Sequence, residues 1–253
     1  MRMRWPGFKK VRRQVCRRIS ARVEELNLAG LSDYKAYLAD DPEEWTKLDS
    51  FCHISISRFY RDKSTFRFLQ DLALKELAKE SETARLRCWS CGCAAGEEPY
   101  TLSLLWHHVL KPYFSTKDLE IIATDSMDSM LNRALKGRYT KSRIKELPEE
   151  LLQAGFTLQN REYILKSLYR DSVRFIKQDV RKSMPEGPFH LILCRYLVFT
   201  YFDEKLQAEL LDKILSRLVP GGALVLGKID RLPCGTEMLE PWSKQDRIYR
   251  KVR

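Results

Sequence analysis

The stretch Trp89-Ser90-Cys91-Gly92-Cys93-Ala94-Ala95-Gly96-Glu97-Glu98-Pro99-Tyr100 decides how this chain folds. Ala84-Arg85-Leu86-Arg87-Cys88 before it reads as a strand, and Leu102, Leu105, Trp106 and Val109 behind it share one helix face. A strand, a small-residue turn and a helix let a backbone approach a nucleotide-like ligand closely. Further on, Leu119-Glu120-Ile121-Ile122-Ala123-Thr124-Asp125 reads as a buried strand ending in a carboxylate. In Rossmann-like sheets the acid at the tip of the second strand accepts hydrogen bonds from ribose hydroxyls. Together the two signals point to an adenosine-containing ligand.

Outward from this motif the chain has two characters. Toward the N-terminus, Phe8, Val11, Val15, Ile19, Val23 and Leu26 recur at helical spacing with arginines on the other side. Asn27 to Ser32 reads as a turn, Asp33 to Leu38 as a second helix, and Asp40-Asp41-Pro42-Glu43-Glu44 as the N-cap of a third. A helical domain is therefore expected over residues 1–72, with the charged stretch Lys75 to Arg85 as linker into a domain over 73–253. That domain alternates. A helix with Met127, Met130, Leu131 and Ala134 closes at Gly137, and strands are expected at Phe189–Arg195, Ala223–Gly227 and, antiparallel, Arg247–Val252. Between the first two of these strands runs a helix with Leu206, Leu210, Ile214 and Leu218. Glu162–Lys166 and Ser172–Ile176 read as two strands of a small antiparallel insertion at about 160–176. The alternation predicts an α/β fold, a mostly parallel sheet with helices on both faces.

Composition narrows the chemistry. The chain has 253 residues, 44% of them hydrophobic, enough for a packed core, yet no apolar run approaches the roughly 20 residues of a membrane span. Met1 to Pro6 lack the apolar core of a secretory signal. The seven cysteines (Cys16, Cys52, Cys88, Cys91, Cys93, Cys194 and Cys234) are odd in number and scattered, which suits reduced thiols in the cytoplasm. Cys88, Cys91 and Cys93 straddle a strand and its turn without a second Cys/His pair, so packing is expected there and no metal. The net charge is +11, and the first 22 residues hold nine Lys and Arg without an acid. Such a face either recruits a polyanion or is simply solvated.

Three cofactor classes use a glycine turn after a first strand. A P-loop needs Gly-Lys-Ser/Thr, which is absent. A dinucleotide turn carries three glycines, but here only Gly92 and Gly96 are present and Glu97-Glu98 open the helix. Two carboxylates suit the helix dipole and repel a pyrophosphate. S-adenosylmethionine has no phosphate, and its sulfonium, ammonium and ribose hydroxyls are all compatible with nearby acids. Electrostatics favours S-adenosylmethionine.

Trp89-Ser90, Gly96-Glu97-Glu98-Pro99-Tyr100, Ala123-Thr124-Asp125, Cys194-Arg195 and Tyr201-Phe202-Asp203, with the upstream Ser55-Ile56-Ser57-Arg58-Phe59-Tyr60-Arg61-Asp62, resemble the CheR family of chemotaxis-receptor glutamate O-methyltransferases. The match covers about residues 10–252. The resemblance implies a Rossmann-like class I methyltransferase sheet with an N-terminal helical domain and a small antiparallel β insertion. It implies that Gly92 and Gly96 line the cofactor, Glu98 meets its methionine or adenosine portion, and Asp125 holds the ribose. Ser55, Ser57 and Arg61 would close over it, Asp179 and Val180 would lie near the adenine, and Arg195 and Tyr196 beside the methionyl part. Arg61 and Tyr201 would orient the acceptor, a glutamate that is already an anion and needs no strong base. The implied partner is an acidic protein such as a chemoreceptor cytoplasmic domain, docked by the basic N-terminal helix of a monomer.

The chain also departs from the family pattern. Tyr196 stands where an Asn is common, one extra residue precedes Tyr201 so that Thr200 is a competing register, and Leu226-Gly227-Lys228-Ile229-Asp230 replaces Gly-His-Ser-Glu. The insertion lacks a glycine-rich loop. The positive charge keeps RNA or another acceptor as an alternative substrate, although no Asn/Asp-Pro-Pro-Tyr motif is present, and Tyr196 keeps a non-catalytic binding module.

Overall fold

Apolar residues at helical spacing bring the first fifty residues together as three helices, α1 (Arg12–Glu25), α2 (Leu31–Asp40) and α3 (Pro42–Cys52). The computed structural model describes residues 2–54, 56–233 and 236–252, and the chain forms two compact units. The smaller comprises Met1–Ile56 with Tyr201–Asp203, and the larger Ser57–Thr200 with Glu204–Arg253. Residues 57–72, expected in the helical domain, thus group with the larger unit.

In the smaller unit Val15 and Val23 of α1 are buried, the first against Phe8 and Val11, the second against Tyr34 and Leu38. Glu44 is buried and satisfied: Arg22 reaches one oxygen at 2.7 Å and the Tyr34 hydroxyl donates to the other at 2.8 Å. The Arg22 guanidinium holds the Glu44 carboxyl below the usual carboxylate range. The later segment Tyr201–Asp203 joins through a bridge between Met3 and Phe202, and the Tyr201 ring packs on Phe8 at 4.9 Å.

The larger unit starts with α4 (Lys63–Phe68), which runs through a wide turn into α5 (Leu74–Glu80). The expected linker is therefore half helix: Leu74, Leu77 and Ala78 are buried on one stripe beneath its charges. β1 (Arg85–Cys91) leads into α6 (Glu97–Leu104), and β2 (Asp118–Asp125) into α7 (Asp128–Lys136). Then come β3 (Arg138–Tyr139), α8 (Lys141–Ile144), α9 (Glu149–Gly155), β4 (Phe156–Gln159), β5 (Glu162–Leu165) and α10 (Ser167–Arg170). β6 (Val173–Lys177), β7 (Phe189–Cys194), α11 (Val198–Tyr201), α12 (Glu204–Leu215), β8 (Leu218–Leu226), β9 (Leu239–Ser243) and β10 (Ile248–Lys251) complete the order.

Seven strands form one sheet in the order β6-β2-β1-β7-β8-β10-β9, parallel from β6 to β8 and antiparallel at β10. The chain order reverses at β1, with β2 on one side and β7 on the other. Ligands of open α/β sheets bind outside the carboxyl ends of the strands at such a switch point. The antiparallel insertion lies elsewhere than expected. Its three strands are β3, β5 and β4, spanning 138–165, while β6 is a parallel edge strand of the main sheet. No helix among the described residues is long and apolar enough to cross a membrane.

The N-cap of α3 is as the sequence reads: Asp41 Oδ1 accepts from the backbone N–H of Glu43 at 2.8 Å and of Glu44 at 3.4 Å. Asp41→Ala is expected to destabilise the smaller unit by about 1 kcal/mol and Asp41→Asn by only a few tenths, read as shifts in the denaturant midpoint.

Candidate functional site

The site is built from the turn after β1. Gly92 and Gly96 have φ of +76° and +86°, and Ala94 joins them in the left-handed region at +50°. The N–H groups of Gly92 and Cys93 donate to the Thr124 carbonyl at 2.8 and 3.0 Å, tying the turn to the end of β2. Asp125 is fixed in turn by two amides: Ala94 donates to its Oδ2 at 2.9 Å and Met127 to its Oδ1 at 3.0 Å. The acid at the tip of the second strand thus stands against the glycine turn. A Cβ on Gly92 would come within 2.8 Å of Leu197, so the glycine serves packing as well as turn geometry.

Beyond the turn, a run of charges crosses three chain segments. Glu98 Oε1 accepts from the Ser90 hydroxyl at 2.8 Å, and its Oε2 from Arg195 Nη1 at 2.9 Å. Arg195 Nη2 donates to the Arg61 carbonyl at 2.8 Å and to Asp62 Oδ2 at 2.6 Å. The Tyr196 hydroxyl also donates to Asp62 Oδ2, at 2.6 Å, and the Arg61 guanidinium stacks 3.7 Å over the Tyr196 ring. Two carboxylates and two guanidiniums balance. Burial alone would lower the Arg195 guanidinium, but Glu98 and Asp62 outweigh it and raise it. The Tyr196 hydroxyl is pushed up to about 12 by burial and then by Asp62, so it acts as a neutral donor.

Tyr60, Asp62 and Tyr196 all take left-handed backbone, with φ of 56°, 63° and 57°. For non-glycine residues this costs on the order of 1 kcal/mol each and persists where the surroundings over-determine it. At Tyr196 the surroundings are Asp230, fully buried, whose Oδ2 accepts from the N–H of Tyr196 and of Gly227, both at 2.8 Å. Its Oδ1 accepts from the Thr200 hydroxyl. Burial pushes the Asp230 carboxyl up, against these three donors.

The residues expected to form the site fall into three groups. Gly92, Gly96, Asp125, Glu98, Arg195, Tyr196 and Arg61 are brought together at the switch point. Asp179 is clamped by Arg181, whose Nη2 donates to it at 2.7 Å, and Val180 beside it is buried. Ser57 lends its carbonyl to Arg143 Nη1 at 2.6 Å, while Ser55 lies outside the described residues. Tyr201 belongs to the smaller unit, and its neighbour Thr200 is taken by Asp230. The sequence alone assigns no role to Asp62, Ser90, Asp230 or Arg143. Asp62 and Ser90 sit inside the quoted motifs, so their proximity to Arg61 and Trp89 is a usable signal. Asp230 and Arg143 have none, because the partners that tie them to the site, Tyr196, Thr200 and Ser57, are 30 or more residues away.

Glu97 is fully buried, and neither carboxylate oxygen has a partner in hydrogen-bond geometry; Arg143 Nη1 lies 3.6 Å from its Oε1. Burial pushes this carboxyl up, and the nearby backbone N–H, Arg143 and Ser57 offset only part of that.

Comparison with known proteins adds three findings. The CheR methyltransferase SAM-binding domain matches residues 55–248. A chemotaxis protein methyltransferase of Listeria monocytogenes is 28% identical over 219 residues, covering 87% of this chain and 81% of that protein. Another, of Borreliella burgdorferi, is 34% identical over 175 residues, covering 67% of this chain and 62% of that protein.

Because the native Glu97 carboxyl titrates above its unfolded value of 4.5, the native state holds the extra proton between the two. Stability therefore falls as pH rises through that window. Glu97→Gln is expected to remove this slope and to raise the melting temperature at neutral pH by about 2–4 °C, with no gain below the window. Thermal melts of both proteins across acidic to neutral pH give the comparison.

Proposed function

This chain belongs to the CheR methyltransferase family, and from that premise we propose that it methylates glutamate carboxylates of an acidic protein, a chemoreceptor cytoplasmic domain or a related signalling protein. The coarser activity is plain: the chain is an S-adenosylmethionine-dependent methyltransferase whose larger unit carries the class I methyltransferase sheet. The observation that carries the finer reading is the Glu98–Arg195–Asp62–Tyr196 network with Arg61 stacked on its edge.

The residues present fit the cofactor. Arg195 Nε is a buried donor with no partner among the described residues, suited to a carboxylate such as that of a methionyl group. Asp125, presented by two amides, is an acceptor suited to a ribose diol. Bound S-adenosylmethionine supplies an electrophilic methyl on a sulfonium.

In this reading the remaining work is orientation. A glutamate acceptor is ionised at neutral pH and needs no general base. Arg61, held flat on Tyr196, supplies a charged fork for that carboxylate. Ser57 borders the cofactor from the segment that carries Arg61. Asp179 and Val180 lie toward its adenine. Gly92 and Gly96 keep the turn bare enough for close approach.

Labelled S-adenosylmethionine, the protein and a bacterial extract give the direct test. The expected product is a protein label released by mild base, as carboxyl methyl esters are; base-stable label on RNA would overturn the reading. Asp125→Ala is expected to weaken cofactor binding about 10–100-fold by calorimetry. Arg61→Ala is expected to lower kcat about 100-fold with a much smaller change in cofactor affinity.

A further inference from the structure

On the larger unit lies an open surface pocket of about 360 Å³, lined mostly by exposed side chains, that the methyl-transfer reading does not use. Its lining includes Arg133 and Lys136 of α7, Arg138 and Tyr139 of β3, Arg143 of α8 and Glu162 of β5. Four cations share it with one carboxylate. Arg138 and Glu162 meet at 3.4 Å with both side chains about half exposed, so this pair contributes little. Arg143 is 3.6 Å from Glu97, beyond hydrogen-bond length. Arg133 and Lys136 form no ion pair among the described residues. Like charges drawn around a concavity repel, and an anion seated among them relieves that repulsion.

The chemistry of the lining narrows the anion. A volume near 360 Å³ lies within the range of small-molecule sites and exceeds what one carboxylate would fill. Glu97, 3.6 Å from Arg143, offsets one of these charges when ionised, and the remaining excess of at least two calls for a multivalent ligand. Three guanidiniums present planar forks that match phosphate oxygens, and the Thr140 hydroxyl adds a neutral donor. The aromatic residue of the lining, Tyr139, is only 2% exposed and donates its hydroxyl to the Ala95 carbonyl at 2.7 Å, so it offers no face for a base to stack on. We propose that this cavity is a binding site for a diphosphate group, whether inorganic pyrophosphate or the diphosphate of a nucleotide.

The cavity also shares a residue with the site at the switch point. Arg143 donates to the Ser57 carbonyl at 2.6 Å, and its own carbonyl accepts from Phe59 N–H at 3.0 Å. It thereby anchors the segment that leads to Arg61 and Asp62. A diphosphate competing for the Arg143 guanidinium weakens that anchor, so its occupancy lowers affinity for S-adenosylmethionine. This second step rests on the proposed role of residues 57–61 at the cofactor; the site itself does not.

Calorimetric titration of the full chain with inorganic pyrophosphate, at constant ionic strength and without S-adenosylmethionine, tests the site. The expected result is one saturable site whose affinity falls about tenfold or more in Arg133→Gln/Lys136→Gln and is unchanged in the control Lys75→Gln/Lys79→Gln. No binding, an equal loss in both variants, or a loss only in Arg12→Gln/Arg17→Gln would overturn it. ADP is expected to bind no more tightly than pyrophosphate; much tighter binding would overturn the assignment to the diphosphate alone. Tighter binding of a poly-glutamate peptide would reassign the cavity to acidic protein. Saturating pyrophosphate is expected to weaken S-adenosylmethionine binding about threefold or more in the parent and not in the Arg133/Lys136 variant. Unchanged binding in the parent would overturn the coupling and leave the site standing.

Discussion

The buried guanidinium of Arg195 is the constraint on which the rest of the site depends. Its side chain is 3% exposed, and a charge so placed is tolerated only when it is paired and hydrogen-bonded. The partners come from two directions: Glu98 from the start of α6, and Asp62 with the Arg61 carbonyl from the segment before α4. Pulling either segment away would strip the buried guanidinium of one of its two charged partners, so the three segments cannot separate cheaply. The pairing therefore holds β7, α6 and the Arg61 segment together at the switch point of the sheet. It places the Arg61 guanidinium over the Tyr196 ring.

Asp230 plays the matching part on the other side. A buried carboxylate with three donors fixes the left-handed Tyr196 backbone, so the strain of that conformation is held by hydrogen bonds rather than by packing alone. The same logic governs Asp125, where two loop amides hold the side chain and the side chain holds the loop. In both cases a carboxylate acts first as a structural acceptor for backbone N–H groups, which pre-organises whatever binds against the turn.

Local signals in the sequence are reliable where the physics is local. The glycine turn, the Asp41 cap, the strands on either side of the switch point and the acid at the end of β2 depend on spacing within about ten residues, as periodicity does. The insertion escapes such a reading because β3 is two residues long and pairs with β5 across a gap of more than twenty residues, which no window of sequence can display. β6 and β5 have similar alternation yet join different sheets. The run from Lys75 resembles a linker because its charges conceal an apolar stripe. The two glutamates of the turn illustrate a subtler shortfall. In sequence they look like acids awaiting a cation, and the cofactor class that follows from them is the one the family binds. Yet Glu97 is buried against Arg143, and Glu98 is neutralised by Arg195. What excludes a pyrophosphate from the turn is thus the absence of a third glycine and of unpaired positive charge there, more than net negative charge.

Two of the positions at which the sequence departs from the family pattern are in direct contact. Tyr196 stands in place of an Asn, and Asp230 in place of a Glu, and the two residues meet. Asp230 receives the Tyr196 N–H, and a Cβ at Gly227 would lie 2.7 Å from the Tyr196 ring and 2.8 Å from Asp230 Oδ2. The ring lies against a bare glycine, and the Asp230 carboxylate reaches both N–H groups. The ring then gives Arg61 a face to lie on and gives Asp62 a second donor, neither of which an Asn side chain could supply together. Tyr196 and Asp230 together thus form the support on which the Arg61 guanidinium rests.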